Sequence, residues 1–331
     1  MQRKEIFIGI DVSKETLDVA YYGSKNHLRI ANNSEGLKLL LAWLKKLDIA
    51  IEECWFLFEY TGGYEYRLVQ FCASRGITFT RVSGLEIKKS LGMQRGKNDK
   101  IDAKRIGQYG YEKRERIQCQ NPCSAALTRL KAMLTQRRAF VKDKKANEHR
   151  LNELIAMMDL KKNDSLIKYY RQGAAFAEKM IIKIEAQIQK LIKKEEALLK
   201  NFKFLTSITG IGNVNAWMAI AYTENFTRFS NGRKFGAYCG IVPYDHQSGK
   251  SIKGKSRVSH MANKDIKADL FMAAKAAVGY DPEIRAYYQK REKMGKHHMS
   301  IMNAVKFKLI LRMFAVVNKQ EIYVKKSNPA A

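Results

Sequence analysis

Four acidic residues in three segments have the types and spacing that suit metal-dependent phosphodiester chemistry. Asp11 interrupts the apolar run FIGIDV, Glu59 ends the run CWFLFE, and Asp99 and Asp102 lie three residues apart in KNDKIDAKRI. That last spacing puts both aspartates on one face of a helix. Clustered carboxylates repel one another without cations, and two Mg²⁺ ions about 4 Å apart can hold the reacting oxygens of a phosphodiester. We therefore predict a site for two Mg²⁺ ions, with Mn²⁺ as the alternative.

Each of these acids also has a purely structural explanation. Asp11 could cap the turn at Val12, and Glu59 could simply end a strand. Asp99 and Asp102 lie among lysines and arginines, the usual composition of a solvated helix face. The metal site is favoured because all four acids occur together in a strongly basic chain.

The first 118 residues alternate strand and helix patterns. Residues 34–47 and 64–76 have helical periodicity, with Ser34 as the predicted N-cap of the first helix. Five short runs rich in β-branched and aromatic residues predict strands, at EIFIGIDV, TLDVAYYG, LRIANN, CWFLFEYTGG and ITFTRVS. The order βββαβαβ is that of the ribonuclease-H-like fold, a mixed sheet covered by helices. In that order the first and fourth strands are neighbours, so Asp11 and Glu59 should lie at one sheet edge.

Residues 119–203 are helical and highly charged, and we predict a coiled coil there. Apolar residues fall at alternating steps of four and three, interrupted only by Glu195: Ala177, Ile181, Ile184, Ile188, Leu191, Leu198 and Phe202. The partner of this seam is either the preceding helix of the same chain or a second copy, and the sequence leaves both open.

Residues 204–331 predict a third, mainly helical domain. The turn TGIGN is similar to a helix-hairpin-helix turn, in which Gly210 and Gly212 would let backbone N–H groups approach a phosphate. A plain tight turn would explain these residues equally well. Beyond it, HQSGKSIKGKSR has the composition of a flexible basic loop whose cations could stabilise a reacting phosphate: Lys250, Lys253, Lys255 and Arg257.

Composition favours a polyanionic partner. The chain has 61 Lys and Arg against 32 Asp and Glu, a formal charge of +29, which suits nucleic acid. An anionic membrane surface is the rival, but no apolar run approaches the roughly 20 residues of a membrane span. Five scattered cysteines predict neither a disulfide framework nor a zinc site. We expect an intracellular protein that does not bind membranes.

The motifs resemble those of a known family. GIDVSKETLDVA, FEYTGGYE and KNDKIDAKRI resemble the DEDD motifs of a class of insertion-sequence transposases. The N-terminal domain of this class is RuvC-like, and Piv-type invertases are relatives. SITGIGNVNAWMAIAY and FTRFSNGRKFGAYCGIVPYDHQSG, which includes Arg233, are similar to its C-terminal transposase domain. The resemblance implies that Asp11, Glu59, Asp99 and Asp102 are the metal-binding acids and that Ser248 is the nucleophile.

The resemblance also implies what the protein does. It implies a DNA transposase or site-specific recombinase that acts on donor and target DNA as a dimer or tetramer. It further implies guidance by a structured RNA encoded by the element, in the cytoplasm of a bacterium or archaeon, associated with the nucleoid. Two alternatives remain: a metal-dependent DNA junction nuclease that uses water, and a non-enzymatic basic protein that binds nucleic acid.

Overall fold

The computed structural model describes residues 6–90, 92, 99–158, 160, 164–248, 252–258 and 262–324, with the backbone alone over 244–257. Contacts divide the chain into two units, residues 1–122 and 123–331, which are described in turn. The second unit contains both the predicted coiled coil and the predicted C-terminal domain. The domain boundary at residue 203 therefore stays a prediction.

The first unit is built on a five-stranded mixed sheet. Its strands, in chain order, are β1 Ile6–Val12, β2 Thr16–Tyr21, β3 His27–Ala31, β4 Cys54–Glu59 and β5 Thr78–Val82. Their order across the sheet is β3-β2-β1-β4-β5. The first three strands pair antiparallel, whereas β1, β4 and β5 pair parallel. The predicted ribonuclease-H-like fold class is confirmed.

Helices pack on both faces of this sheet. They are α1 Ser34–Lys46, α2 Tyr66–Ser74, α3 Gly84–Ser90 and α4 Asp99–Glu112. Leu40 of α1 packs with Ile8 and Phe56, while Ile106 of α4 packs with Phe7 and Leu57, the neighbours that face the other way.

The predicted cap of α1 is wrong by one residue. Asn33, not Ser34, accepts the hydrogen bond from the Gly36 N–H at 2.9 Å. Asn and Ser are about equally favourable as N-caps, so the sequence does not distinguish between these two adjacent residues.

Two long helices begin the second unit, α5 Ala125–Met157 and α6 Ser165–Lys194. Arg137 bonds Glu185 at 2.7 Å, and Lys144, one to two turns later on α5, pairs with the earlier Glu178 of α6. Later residues of α5 therefore contact earlier residues of α6, so the two helices run antiparallel. The seam of α6 packs against α5 of the same chain, which is one of the two partners that the sequence left open.

The long seam is not carried by one continuous helix. The backbone is extended at Glu195, and a separate helix, α7 Glu196–Thr206, follows. The interruption lies at the one charged residue in the predicted apolar series. Ile192, outside that series, is fully buried, so the buried stripe shifts by one residue before the break.

Seven further elements complete the part of this unit that the structure describes. They are α8 Asn213–Tyr222, α9 Gly232–Tyr238, β6 Tyr244–Ser248, β7 Ile252–Arg257, α10 Lys264–Tyr280, α11 Pro282–Lys293 and α12 His298–Lys319. One apolar core joins Leu130 of α5, Ile188 of α6, Trp217 of α8 and Leu309 of α12. Across the residues that the structure describes, every helix is too short or too polar to cross a bilayer.

Candidate active site

Asp11 and Glu59 lie side by side at one edge of the sheet. β1 and β4 run parallel, and Ile10 pairs with Phe58, so the two acids follow directly after one register pair. Phe7 and Leu57, at even spacing from the acids along their strands, pack with residues of α4. Both carboxylates therefore lie on the face of the sheet that α4 covers. The predicted juxtaposition of the two strands is confirmed.

A glycine brings α4 onto this edge. A Cβ atom placed on Gly9 of β1 would lie 2.0 Å from the Ala103 carbonyl oxygen and 2.3 Å from the Gly107 nitrogen. Only glycine therefore allows the backbone of α4 to rest on β1. Asp99 and Asp102 are in the first turn of this helix. The close contact brings a segment from far along the chain next to Asp11.

The electrostatics of Asp11 reflect these neighbours. The pKa of Asp11 is raised to about 6, first by burial and then by the nearby carboxylates of Glu59, Asp102 and Asp99. Within the described part of the chain, the Asp11 carboxylate has no ion pair and accepts no side-chain hydrogen bond. A half-buried, unpaired carboxylate among other acids is the setting in which a bound cation is most favourable.

The other two acids are held by arginines. Arg105 Nη1 lies 3.0 Å from Asp102 Oδ1, and Arg29 Nη2 lies 3.4 Å from Asp99 Oδ2. Among the described residues, no three His, Cys, Asp or Glu side chains converge closely enough to enclose one ion. The donor set suits Mg²⁺, since all four predicted ligands offer carboxylate oxygens.

Sequence reasoning missed a fifth acid. Asp18 of β2 pairs in register with Asp11, so both side chains lie on the same face, and Asp18 is 3% exposed. His27 Nε2 lies 2.7 Å from Asp18 Oδ1, and Arg29 Nε lies 3.6 Å from Oδ2. Arg29 thus links the buried Asp18 to Asp99. The signal was present in the strand TLDVAYY, which has a carboxylate within an apolar run, as β1 does.

A second missed acid shapes the loop after Glu59. Glu65 is buried and accepts hydrogen bonds from the Thr61 hydroxyl at 2.6 Å and from the Gly63 N–H at 2.9 Å. The motif YTGGYE therefore contains its own loop anchor. Because its carboxylate is engaged in these hydrogen bonds, Glu65 stabilises the loop.

Ser248 is in the second unit, at the end of β6. It pairs with Ile252 of β7, and Gln247 pairs with Lys253. The described backbone thus forms two antiparallel strands where composition alone suggested a flexible loop. Lys255 and Arg257 also lie on β7, whereas Lys250 lies outside the described residues.

The glycine turn is required by the fold. Gly210 has φ +94°, and a Cβ there would lie 2.7 Å from the Ala273 carbonyl oxygen of α10. Gly212 is the exposed N-cap of α8 and has open space around it. Arg233 is exposed in the first turn of α9. Packing explains Gly210, while Gly212 and Arg233 have no structural requirement of this kind.

Comparisons with known proteins agree with this architecture. Residues 203–289 match the model described as "Transposase IS116/IS110/IS902 family", and residues 8–159 match a DEDD model described as "Transposase". The "Pilin gene-inverting protein" of Moraxella lacunata and that of Moraxella bovis are each 26% identical over 97% of this chain and 98% of theirs.

A third relative matches over a shorter segment. The "Insertion element IS110 uncharacterized 43.6 kDa protein" of Streptomyces coelicolor is 27% identical over 42% of this chain and 33% of its own. The two family models match separate segments that together make up most of the chain, in the order in which the two units follow one another. The chain is a DNA recombinase or transposase enzyme of the DEDD type, and its C-terminal segment is similar to transposases of the IS116/IS110/IS902 family.

Proposed function

We propose that the chain cuts and rejoins DNA with two groups of residues, a metal-binding acidic site in the first unit and Ser248 in the second. The main support for the acidic site is the position of Asp11. Its carboxylate is half-buried beside Glu59, and among the described residues it forms no ion pair with a lysine or arginine. The similarity to DEDD transposases supports a divalent metal. Asp11, Glu59, Asp99 and Asp102 would hold Mg²⁺ or Mn²⁺, which when bound stabilises charge on the phosphate oxygens.

In this proposal Ser248 supplies the nucleophile. Its Oγ attacks the phosphorus, a serine–phosphate bond forms, and one DNA oxygen leaves as a strand-end hydroxyl. A hydroxyl from a second DNA end then attacks the same phosphorus and restores the serine. Lys253, Lys255 and Arg257, on the strand paired with β6, supply positive charge for the reacting phosphate. Retaining the bond energy in the serine ester allows rejoining without a separate energy source.

The test is to trap the covalent intermediate. The full chain is incubated with a nicked suicide DNA substrate and Mg²⁺, alongside the variants Ser248→Ala, Ser251→Ala and Asp11→Asn. We expect an adduct with the wild type and with Ser251→Ala but not with the other two. An adduct that persists in Ser248→Ala and disappears in Ser251→Ala would assign the nucleophile to Ser251. Strand cleavage by the wild type without any adduct would instead favour the nuclease that uses water.

We further propose that a structured RNA of the element guides the protein and that it acts as a dimer or tetramer in the cytoplasm, on nucleoid DNA. The support is the family resemblance and the charge of +29, which exceeds what folding requires. By its printed name, the Moraxella relative inverts a pilin gene. By analogy, this chain would recombine two DNA sites. Ribonuclease treatment of protein purified with its element should abolish recombination on a two-site plasmid, and full activity after treatment would exclude RNA guidance.

A further inference from the structure

Lys306 of α12 is a buried lysine without an evident counter-charge. It is 1% exposed, and its amine lies 5.5 Å from the centre of the Phe271 ring. Among the described residues, neither a carboxylate nor a hydrogen-bond acceptor lies within bonding distance of that amine. A cation–π contact contributes about 0.5–2 kcal/mol, whereas burying an unpaired charge costs several kcal/mol. The ring alone does not explain why a lysine occupies this position.

A second cation makes the arrangement less favourable. Lys267 lies one turn before Phe271 on α10, so both residues are on the face of that helix where Lys306 packs. The pKa of Lys306 is lowered to about 8, first by burial and then by the like charge of Lys267. Neither ammonium group is paired with an acid among the described residues, so a bound anion would offset the repulsion between them. Lys267 is only half-buried, so solvent reaches this lysine, whereas Lys306 lies behind it.

The two lysines lie near both ends of the segment that carries Ser248. At the start of the segment, Val242 and Phe307, the residue after Lys306, both pack on Gly236. At its end, the Asn263 N–H, one turn before Lys267, donates to the Tyr238 carbonyl at 3.0 Å. The chain leaves the helical core after Val242, forms β6 and β7, and returns at Asn263. The lysine pair is therefore at the base of this two-stranded segment.

We propose that Lys306 and Lys267 bind a phosphate group of a nucleic-acid backbone at the base of the β6–β7 strands. The choice of nucleic acid as the source of the phosphate rests on the proposed function and on the similarity to transposases. Lysine binds phosphate as a compact point charge, and two such charges offset one phosphodiester without a demanding geometry. Bound there, the backbone would be held next to the strands that carry Ser248.

The test is DNA binding by full-length variants in buffer with chelator, where no strand is cut. Lys306→Met keeps the apolar stem and its contact with Phe271. Lys308→Met is the matched control, because this lysine is on the same helix with its amine 4.6 Å from the Tyr287 ring centre. Fluorescence anisotropy with a short labelled duplex is measured at several KCl concentrations. We expect Lys306→Met to weaken binding about tenfold and to reduce the salt slope by about 1.

The control variant, Lys308→Met, should bind DNA with nearly the same affinity and salt slope as the wild type. An unchanged affinity and slope in Lys306→Met, or an equal loss in Lys308→Met, would overturn the proposal. Thermal unfolding establishes folding, and if Lys306→Met unfolds below the assay temperature, Lys267→Met serves in its place with the same expectation. Inorganic phosphate should raise the melting temperature of the wild type more than that of Lys306→Met, and an equal rise would also count against the site. Because cleavage plays no part, failure of the serine or metal roles would not alter these outcomes.

Discussion

At the scale of single residues, Asp11 shows how function and stability oppose each other. Its pKa is raised from 3.8 to about 6, so between these pH values the folded chain binds more protons at Asp11 than the unfolded chain does. The free energy of unfolding therefore falls as pH rises through this window, and the whole penalty is present above it. The ionised Asp11 carboxylate therefore destabilises the unit that holds it, and the proposed metal ion would offset this penalty.

Asp11→Asn should therefore abolish metal-dependent cleavage and yet stabilise the metal-free protein at neutral pH. We expect a gain of roughly 1 kcal/mol, reduced from the full shift because the carboxylate is only half-buried. The gain should vanish as the pH falls towards 3.8. Thermal unfolding in chelator across this pH range measures it. A variant that is less stable than the wild type at neutral pH, or one that retains Mg²⁺-dependent cleavage, would contradict the role given to Asp11.

Arg29 should act on the metal site without belonging to it. It links Asp18 to Asp99 in the first turn of α4, so Arg29→Met would release Asp99 and leave Asp18 with His27 alone. We expect Mn²⁺ affinity, measured by calorimetry, to fall about tenfold, with a loss of stability of about 1 kcal/mol or less because Arg29 is exposed. Arg29→Lys should recover part of the affinity. Arg75→Met, which removes a guanidinium stacked on Phe71, is the control and should bind Mn²⁺ normally.

At the scale of elements, the contact between α4 and β1 decides whether the acids meet. Gly9→Ala would place a methyl group 2.0 Å from the Ala103 carbonyl oxygen, so α4 must move away from the sheet. We expect a loss of about 3 kcal/mol in the free energy of unfolding and loss of cleavage. Gly279→Ala, in α10 with no neighbour within 4 Å, should instead stabilise by up to about 1 kcal/mol. Denaturant unfolding that ranks the two variants the other way would contradict this packing.

The packing of α5 against α6 predicts that two isoleucines of α6 contribute very differently to the free energy of unfolding. Ile188 is fully buried and Ile182 is 58% exposed. Ile188→Asp should lower the free energy of unfolding by about 3 kcal/mol or more, because it buries an unpaired charge, whereas Ile182→Asp should change it by less than about 0.5 kcal/mol. Thermal unfolding and sedimentation are measured together. A change in oligomer size for Ile188→Asp without a change in stability would show that the seam pairs with another chain in solution.

Local patterns were enough to predict most elements but not how distant ones meet. The apolar runs FIGIDV and CWFLFE predict two strands, and the strand order then places Asp11 beside Glu59. No local sequence pattern indicates that α4 packs against Gly9, because that contact joins segments almost a hundred residues apart. The helix break at Glu195 was visible only as an interruption, since heptad spacing continues on both sides of it.

The same limit applies to the candidate site. The four acids proposed as metal ligands stand out in three motifs, whereas Asp18 lies in a strand whose sequence pattern indicates only a buried core. Lys306 was missed for the opposite reason. Its helix has three other lysines or arginines, so in the sequence Lys306 resembles a surface residue, and only tertiary packing reveals that it is buried. Whether a charged residue is buried depends on the fold. The sequence therefore indicates a buried charge only where the residue belongs to a recognisable motif.

At the scale of the whole molecule, the charge of +29 predicts how nucleic-acid binding depends on salt. Each phosphate that a lysine or arginine neutralises releases counterions, so affinity falls steeply with ionic strength. With 6–10 phosphate contacts, binding should weaken by about 10³–10⁵-fold between roughly 50 and 200 mM salt. Anisotropy with DNA or RNA duplexes in KCl measures the slope, and an uncharged osmolyte at equal osmolality is the control. An affinity that changes equally little in both titrations would mean that apolar contacts dominate, and the excess of cations would then need another explanation.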